Sequence, residues 1–109
     1  MAINTLFRGT PFSATATGST TCTASFTCPT GSTCYITDIS GSTDKAGATM
    51  IVQTGSTTLW QIQLATTAAG MNAIQEQLES PLLCVAGANP SVTVTGTSVC
   101  CANISGYYL

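Results

Sequence analysis

Few side chains in this sequence could do chemistry, and their types restrict the chemistry further. Among 109 residues there is no His, the bases are Arg8 and Lys45, and the acids are Asp38, Asp44, Glu76 and Glu79. Six cysteines complete the set: Cys22, Cys28, Cys34, Cys84, Cys100 and Cys101. A nucleophilic Cys needs a base beside it, and with no His and Lys45 in a loop none of the six has one. Zinc is not expected either, because no Cys-x-x-Cys pair accompanies the missing His. Glu76 and Glu79 are the one closely spaced pair of carboxylates. Glycoside hydrolysis would also require a sugar cleft with flanking aromatics, so solvated surface charge is their expected role. Asp38, Asp44 and the loop at 41–47 hold too few carboxylates for a strong calcium site. The expectation is a non-enzyme with no catalytic residue, metal or cofactor.

The cysteines have two readings. In a short secreted chain six of them would form a disulfide framework. As free thiols they would pack as small buried hydrophobes. The opening Met1-Ala2-Ile3-Asn4-Thr5-Leu6-Phe7-Arg8 lacks the basic start and apolar run of a signal peptide, which adds weight to the thiol reading. Both states stay open for all six. Adjacent Cys100 and Cys101 point to opposite faces of a strand, so they do not share one partner.

The net charge is −2 and only 6% of the residues are charged. Binding nucleic acid needs several cations to displace counterions, and two are too few. The same shortage argues against an anionic membrane surface, and no apolar stretch is long enough to span a bilayer. Low charge also leaves little repulsion between copies. That suits a protein that works inside an assembly.

These groups must be positioned by strands. From residue 21 onward the dominant period is two, the mark of half-buried strands. Cys22, Ala24, Phe26 and Cys28 alternate with Thr and Ser. Residues 34–39 follow after Pro29-Thr30-Gly31-Ser32, with Cys34 and Ile36 on one face and Tyr35, Thr37 and Ile39 on the other. A loop is expected at 41–47. Ala48, Met50 and Val52 share a face, Gly55-Ser56 turns the chain, and Trp60, Ile62 and Leu64 share the next, which reads as a hairpin. Trp60 is expected in the core.

Residues 71–79 fit a helix through Met71, Ile74 and Leu78. A strand closed by Pro81 is preferred because the surroundings are strands. A short strand is expected at 82–85. Val92 and Val94 point inward from 91–96, and 99–108 is the last strand, with Tyr107 and Tyr108 on opposite faces. Asn103-Ile104-Ser105 fits the glycosylation sequon but sits in that strand.

About eight strands at ten-residue spacing predict an all-β, jelly-roll-like antiparallel sandwich over 22–109. Residues 1–21 read as an extended N-terminal arm or edge strand, with Phe7, Arg8 and Phe12 as candidate partner-binding residues.

Residues 21–34, opening with Thr21-Cys22-Thr23, resemble about one repeat of the Thr-Cys-Thr β-helical insect antifreeze proteins, but a solenoid needs several stacked repeats. A broader resemblance is carried by Phe26-Thr27-Cys28-Pro29-Thr30-Gly31-Ser32-Thr33-Cys34-Tyr35-Ile36-Thr37-Asp38-Ile39, the hairpin that follows, Ser80-Pro81-Leu82, and the closing Ser91-Val92-Thr93-Val94-Thr95-Gly96 and Ala102-Asn103-Ile104-Ser105-Gly106-Tyr107. This succession of strands and turns over about 20–108 resembles the small jelly-roll structural proteins of tailed bacteriophages. The resemblance implies a capsid decoration (cement) protein on the virion exterior. Its partners would be the major capsid protein and its own copies, a homotrimer being favoured. The six cysteines are not usual in that family. A different class also fits the residues: a secreted carbohydrate-binding or adhesive sandwich, with Trp60, Tyr107 or Tyr108 stacking on a sugar. A tail-fibre or spike module is a third possibility.

Overall fold

The computed structural model describes residues 9–63, 72–84 and 87–109, without the side chains of residues 72 and 79. Eight strands run in order: β1 (Thr10–Gly18), β2 (Thr21–Ser25), β3 (Cys34–Thr43), β4 (Thr49–Thr54), β5 (Thr57–Gln63), β6 (Asn72–Leu83), β7 (Pro90–Thr95) and β8 (Cys100–Tyr108). Their pairing follows from one turn. Gly55 takes a φ of 59°, open to glycine at little cost, and joins β4 to β5 as a tight hairpin. From that apex the two halves of the chain pair antiparallel as β3 with β6, β2 with β7 and β1 with β8. Rolling this ribbon up adds the pairs β3 with β8 and β4 with β7. Two four-stranded sheets result, ordered β1-β8-β3-β6 and β2-β7-β4-β5. This is the double Greek key of a jelly roll, so the expected all-β jelly-roll sandwich is what forms.

Period-two alternation turns one side of each sheet inward. Ile36, Ile39, Ala102 and Ile104 of the first sheet meet Met50, Val52, Val92 and Val94 of the second, all at most 1% exposed. Apart from Met50 these side chains are small or β-branched, so the core is filled by many modest residues. Gly41 makes room for it. A Cβ there would stand 2.8 Å from both Met50 Sδ and Val94 Cγ2. Polar pins join the sheets. The buried Thr43 Oγ1 donates to the Thr95 carbonyl and accepts from the Lys45 backbone N–H at 3.1 Å. Buried Thr54 hydrogen-bonds the Cys84 thiol.

Three local expectations change. Residue 37 is a bulge: the register of β3 slips between Ile36 and Asp38 against both neighbours. A bulge shifts the alternation by one, so Ile39 joins Ile36 inside instead of facing away. Residues 41–43, expected in a loop, continue β3. Of the segment expected at 71–79, residues 72–79 are a strand as preferred and Met71 lies outside the described residues; Pro81 does not close the strand, and residues 82–83, expected as a separate strand, belong to it. β6 is an edge strand, and Pro81 falls where its pairing with β3 is broken. No backbone N–H is missed at such a place. Of the two readings held open for the N-terminal segment, residues 10–18 take the second, as the edge strand of the first sheet.

Candidate interaction surface

Of the three residues expected to bind a partner, Phe7 and Arg8 lie outside the described residues. Phe12 is in the core instead. It is 7% exposed and stacks on Phe26 with ring centroids 4.3 Å apart, and Phe26 stacks in turn on Tyr108 at 5.6 Å. Its position explains this, since β1 turns Phe12, Ala14 and Ala16 toward the facing sheet.

All six cysteines are thiols, and all but Cys101 are buried. They gather at two places. The Cys22 thiol lies beside Cys100, and the Cys34 thiol beside Cys28, with Cys84 close by. Burial, then the neighbouring thiol, pushes Cys22 and Cys34 up to about 12. Burial also raises Cys84. At neutral pH these sulfurs are protonated and poor nucleophiles.

Among the described residues the acids do not converge. Glu76 is half-buried at the inner margin of β6, and the side chain of Glu79 lies outside the described residues. Asp44 is a loop clamp. Its carboxylate accepts from the backbone N–H groups of Thr97 at 2.9 Å, Ser98 at 3.0 Å and Val99 at 3.3 Å. The Ser98 and Thr97 bonds hold its carboxyl below the usual range, because they stabilise the ionised form. Nothing local in the sequence marks this role, since the partners are more than fifty residues away. Among the described residues no group of three His, Cys, Asp or Glu side chains is placed to hold a metal ion.

What the fold does build is surface. The outer face of the first sheet carries a shallow groove of about 350 Å³ lined by Ser13, Thr15, Asp38, Ser40, Gln75, Asn103 and Ser105. Thr15 Oγ1 donates to Asn103 Oδ1 at 2.8 Å, and Asn103 Nδ2 donates to Ser40 Oγ at 3.0 Å. Asn103, the sequon residue, is therefore tied across three strands. At one end of the groove a cross-strand row runs Pro11, Tyr107, Tyr35, Leu83. Directly paired residues share a face. The two Tyr rings stack at 5.0 Å, and Leu83 is 57% exposed. Tyr108 points the other way, into the core stack, and Trp60 packs on the core from β5. Sequence reading placed the two tyrosines on opposite faces. It missed the row, because Tyr35 and Leu83 join Tyr107 only through strand register.

The second sheet differs. Strands β2, β7, β4 and β5 contain no Asp, Glu, Lys or Arg. Their outward residues are hydroxyls and amides with Ile51 among them, for example Thr23 and Thr93, whose hydroxyls hydrogen-bond at 3.0 Å. Such a face can be covered without desolvating a charge, the costly step in burying polar surface.

No family model matches the chain, and no curated protein matches it. A similar solved structure is the virus-like particle of the extra small virus of the giant freshwater prawn Macrobrachium rosenbergii. It is 10% identical with a TM-score of 0.42, over 94% of this chain and 80% of that one.

Proposed function

We propose that this chain is a structural protein of a virion, a decoration protein that binds the outside of a phage-type capsid and associates with its own copies, as a trimer. The observation that carries the reading is the second sheet, whose four strands hold no ionised side chain. A monomer kept apart by charge would not have that composition, whereas an assembly can bury its hydroxyls and amides against backbone and side-chain partners. The row Pro11, Tyr107, Tyr35, Leu83 supplies the aromatic anchors that dominate binding energy at interfaces. Phe7 and Arg8, both expected to bind a partner, would add contact area on the shell.

The test is size-exclusion chromatography with light scattering, together with co-sedimentation on assembled shells of the encoding virus. A trimer that co-sediments is expected. Deleting residues 1–8 lowers shell occupancy and leaves the far-UV circular dichroism unchanged. A chain that stays monomeric and ignores the shells refutes the proposal, and full occupancy after the deletion removes Phe7 and Arg8 from it.

A second reading is favoured by the Tyr35–Tyr107 stack beside the polar groove. Aromatic faces next to Asp, Asn and Ser hydroxyl groups are the chemistry that holds a sugar ring.

A further inference from the structure

We infer that Cys22 with Cys100 and Cys28 with Cys34 are two disulfide sites, filled when the folded chain meets a small-molecule disulfide oxidant, and that Cys84 and Cys101 stay reduced.

The first pair joins the two sheets. Cys22 lies on β2 and Cys100 on β8, both turned inward, 4% and 0% exposed. The two thiols are neighbours, close enough for Cys100 to raise the Cys22 thiol. Nothing separates them at the sheet margin, because the strand partner of Cys100 is Gly18, where a Cβ would stand 3.6 Å from that of Cys22. The second pair closes the loop between β2 and β3. Cys28 is held from both sides: its backbone N–H donates to Asn89 Oδ1 at 2.8 Å and its thiol to the Ser32 carbonyl at 3.2 Å. Cys34, the first residue of β3, is near enough for Cys28 to raise its thiol.

The remaining thiols are engaged otherwise. Cys84 donates its backbone N–H to the Cys34 carbonyl at 2.9 Å, a rung of the ladder between neighbouring strands, and its thiol bonds Thr54. Cys101 faces out of the first sheet, opposite in direction to Cys100.

The exchange balances. A cysteine thiolate attacks one sulfur of oxidised glutathione and expels one glutathione thiol. The partner thiolate then attacks the mixed disulfide and expels the second. Two protein thiols lose two electrons and two protons, and one reagent disulfide becomes two thiols. Burial keeps the thiolate scarce in the closed fold, so exchange waits on local opening. The sites are expected to be empty in a reducing compartment and to fill slowly outside it. This pairing holds whether or not the chain decorates a shell.

The experiment incubates the full chain with oxidised glutathione, in buffer and in urea below the unfolding transition. Free thiols are then blocked with N-ethylmaleimide, and the intact mass and the linked tryptic and chymotryptic peptides are read. Two blocked thiols, at Cys84 and Cys101, and links 22–100 and 28–34 are expected. The unfolding midpoint should rise by on the order of 10–20 °C, because the first link closes most of the chain, and dithiothreitol should reverse it. Six blocked thiols after oxidation in urea, any link through Cys84 or Cys101, or a midpoint that does not rise overturns the inference.

Discussion

Replacing Phe12 by Ala separates a core role from a docking role for the N-terminal aromatics. Phe12 is 7% exposed and forms the first member of the stack with Phe26 and Tyr108. Truncating a buried Phe costs about 3–5 kcal/mol in a close-packed core. The hole would not close easily, since the next inward side chains on β1 are the methyl groups of Ala14 and Ala16. The strand is an outer one and gives a little, so the low end, about 3 kcal/mol, is expected. A domain of this size has a total stability of about 5–15 kcal/mol. With a urea slope of about 1–2 kcal/mol per molar, the midpoint should fall by about 1.5–3 M. The lone Trp60 sits on β5 in the opposite sheet, so its fluorescence in a urea titration reports loss of the whole sandwich. Circular dichroism should give the same midpoint. Deleting residues 1–8 is the control, since it leaves Phe12 in place. A Phe12→Ala midpoint matching wild type would refute the assignment of this ring to the core and return it to partner binding.

Two further outcomes follow from the geometry. Asp44 has a folded pKa below its unfolded value. Its contribution is therefore complete above the unfolded value of about 3.9 and fades as the pH falls through the folded one. Asp44→Asn should lower the urea midpoint at neutral pH and flatten its fall in acid, and an unchanged profile would show that the clamp on residues 97–99 contributes nothing. The sugar-binding reading requires heat of binding in titration calorimetry with oligosaccharides, lost in Tyr107→Ala; no heat with any neutral or acidic oligosaccharide removes it.

The strands were readable wherever alternation ran unbroken, as in Thr21 to Ser25, in Ala48 to Thr54 and around Val92 and Val94. The signal there is local, because each side chain's face depends only on its neighbours in the chain. It failed where pairing decides. The bulge at Thr37 shows only in the register of β3 against its two neighbours, and Pro81 is tolerated because β6 has a free edge, facts held in no local window. The surface followed the same rule. Tyr107 was recognisable as an outward aromatic, but its companions Tyr35 and Leu83 come from strands far away in sequence. Phe12 was misplaced because nothing in a Thr- and Ala-rich stretch announces that an outer strand faces Phe26.

Strand edges narrow the proposed assembly further. The outer strands are β1 and β6 in one sheet and β2 and β5 in the other. Free edges are usually blunted by charge, Pro or shortness. β6 carries Glu76, Glu79 and Pro81, and β2 has only five residues. β5 has seven residues with neither a charge nor a Pro, and β1 has nine with only Pro11 near its start. Among the described residues these two are the edges that lack protection, and they belong to different sheets. Contact between two unlike surfaces closes into a ring of three or more when the rotation fits, whereas a like-to-like contact stops at a dimer. A trimer built on β1 and β5 would thus cover both edges in every copy, while a dimer through either one would leave the other open. Light scattering at the mass of two chains would break this link between the composition of the edges and the proposed trimer.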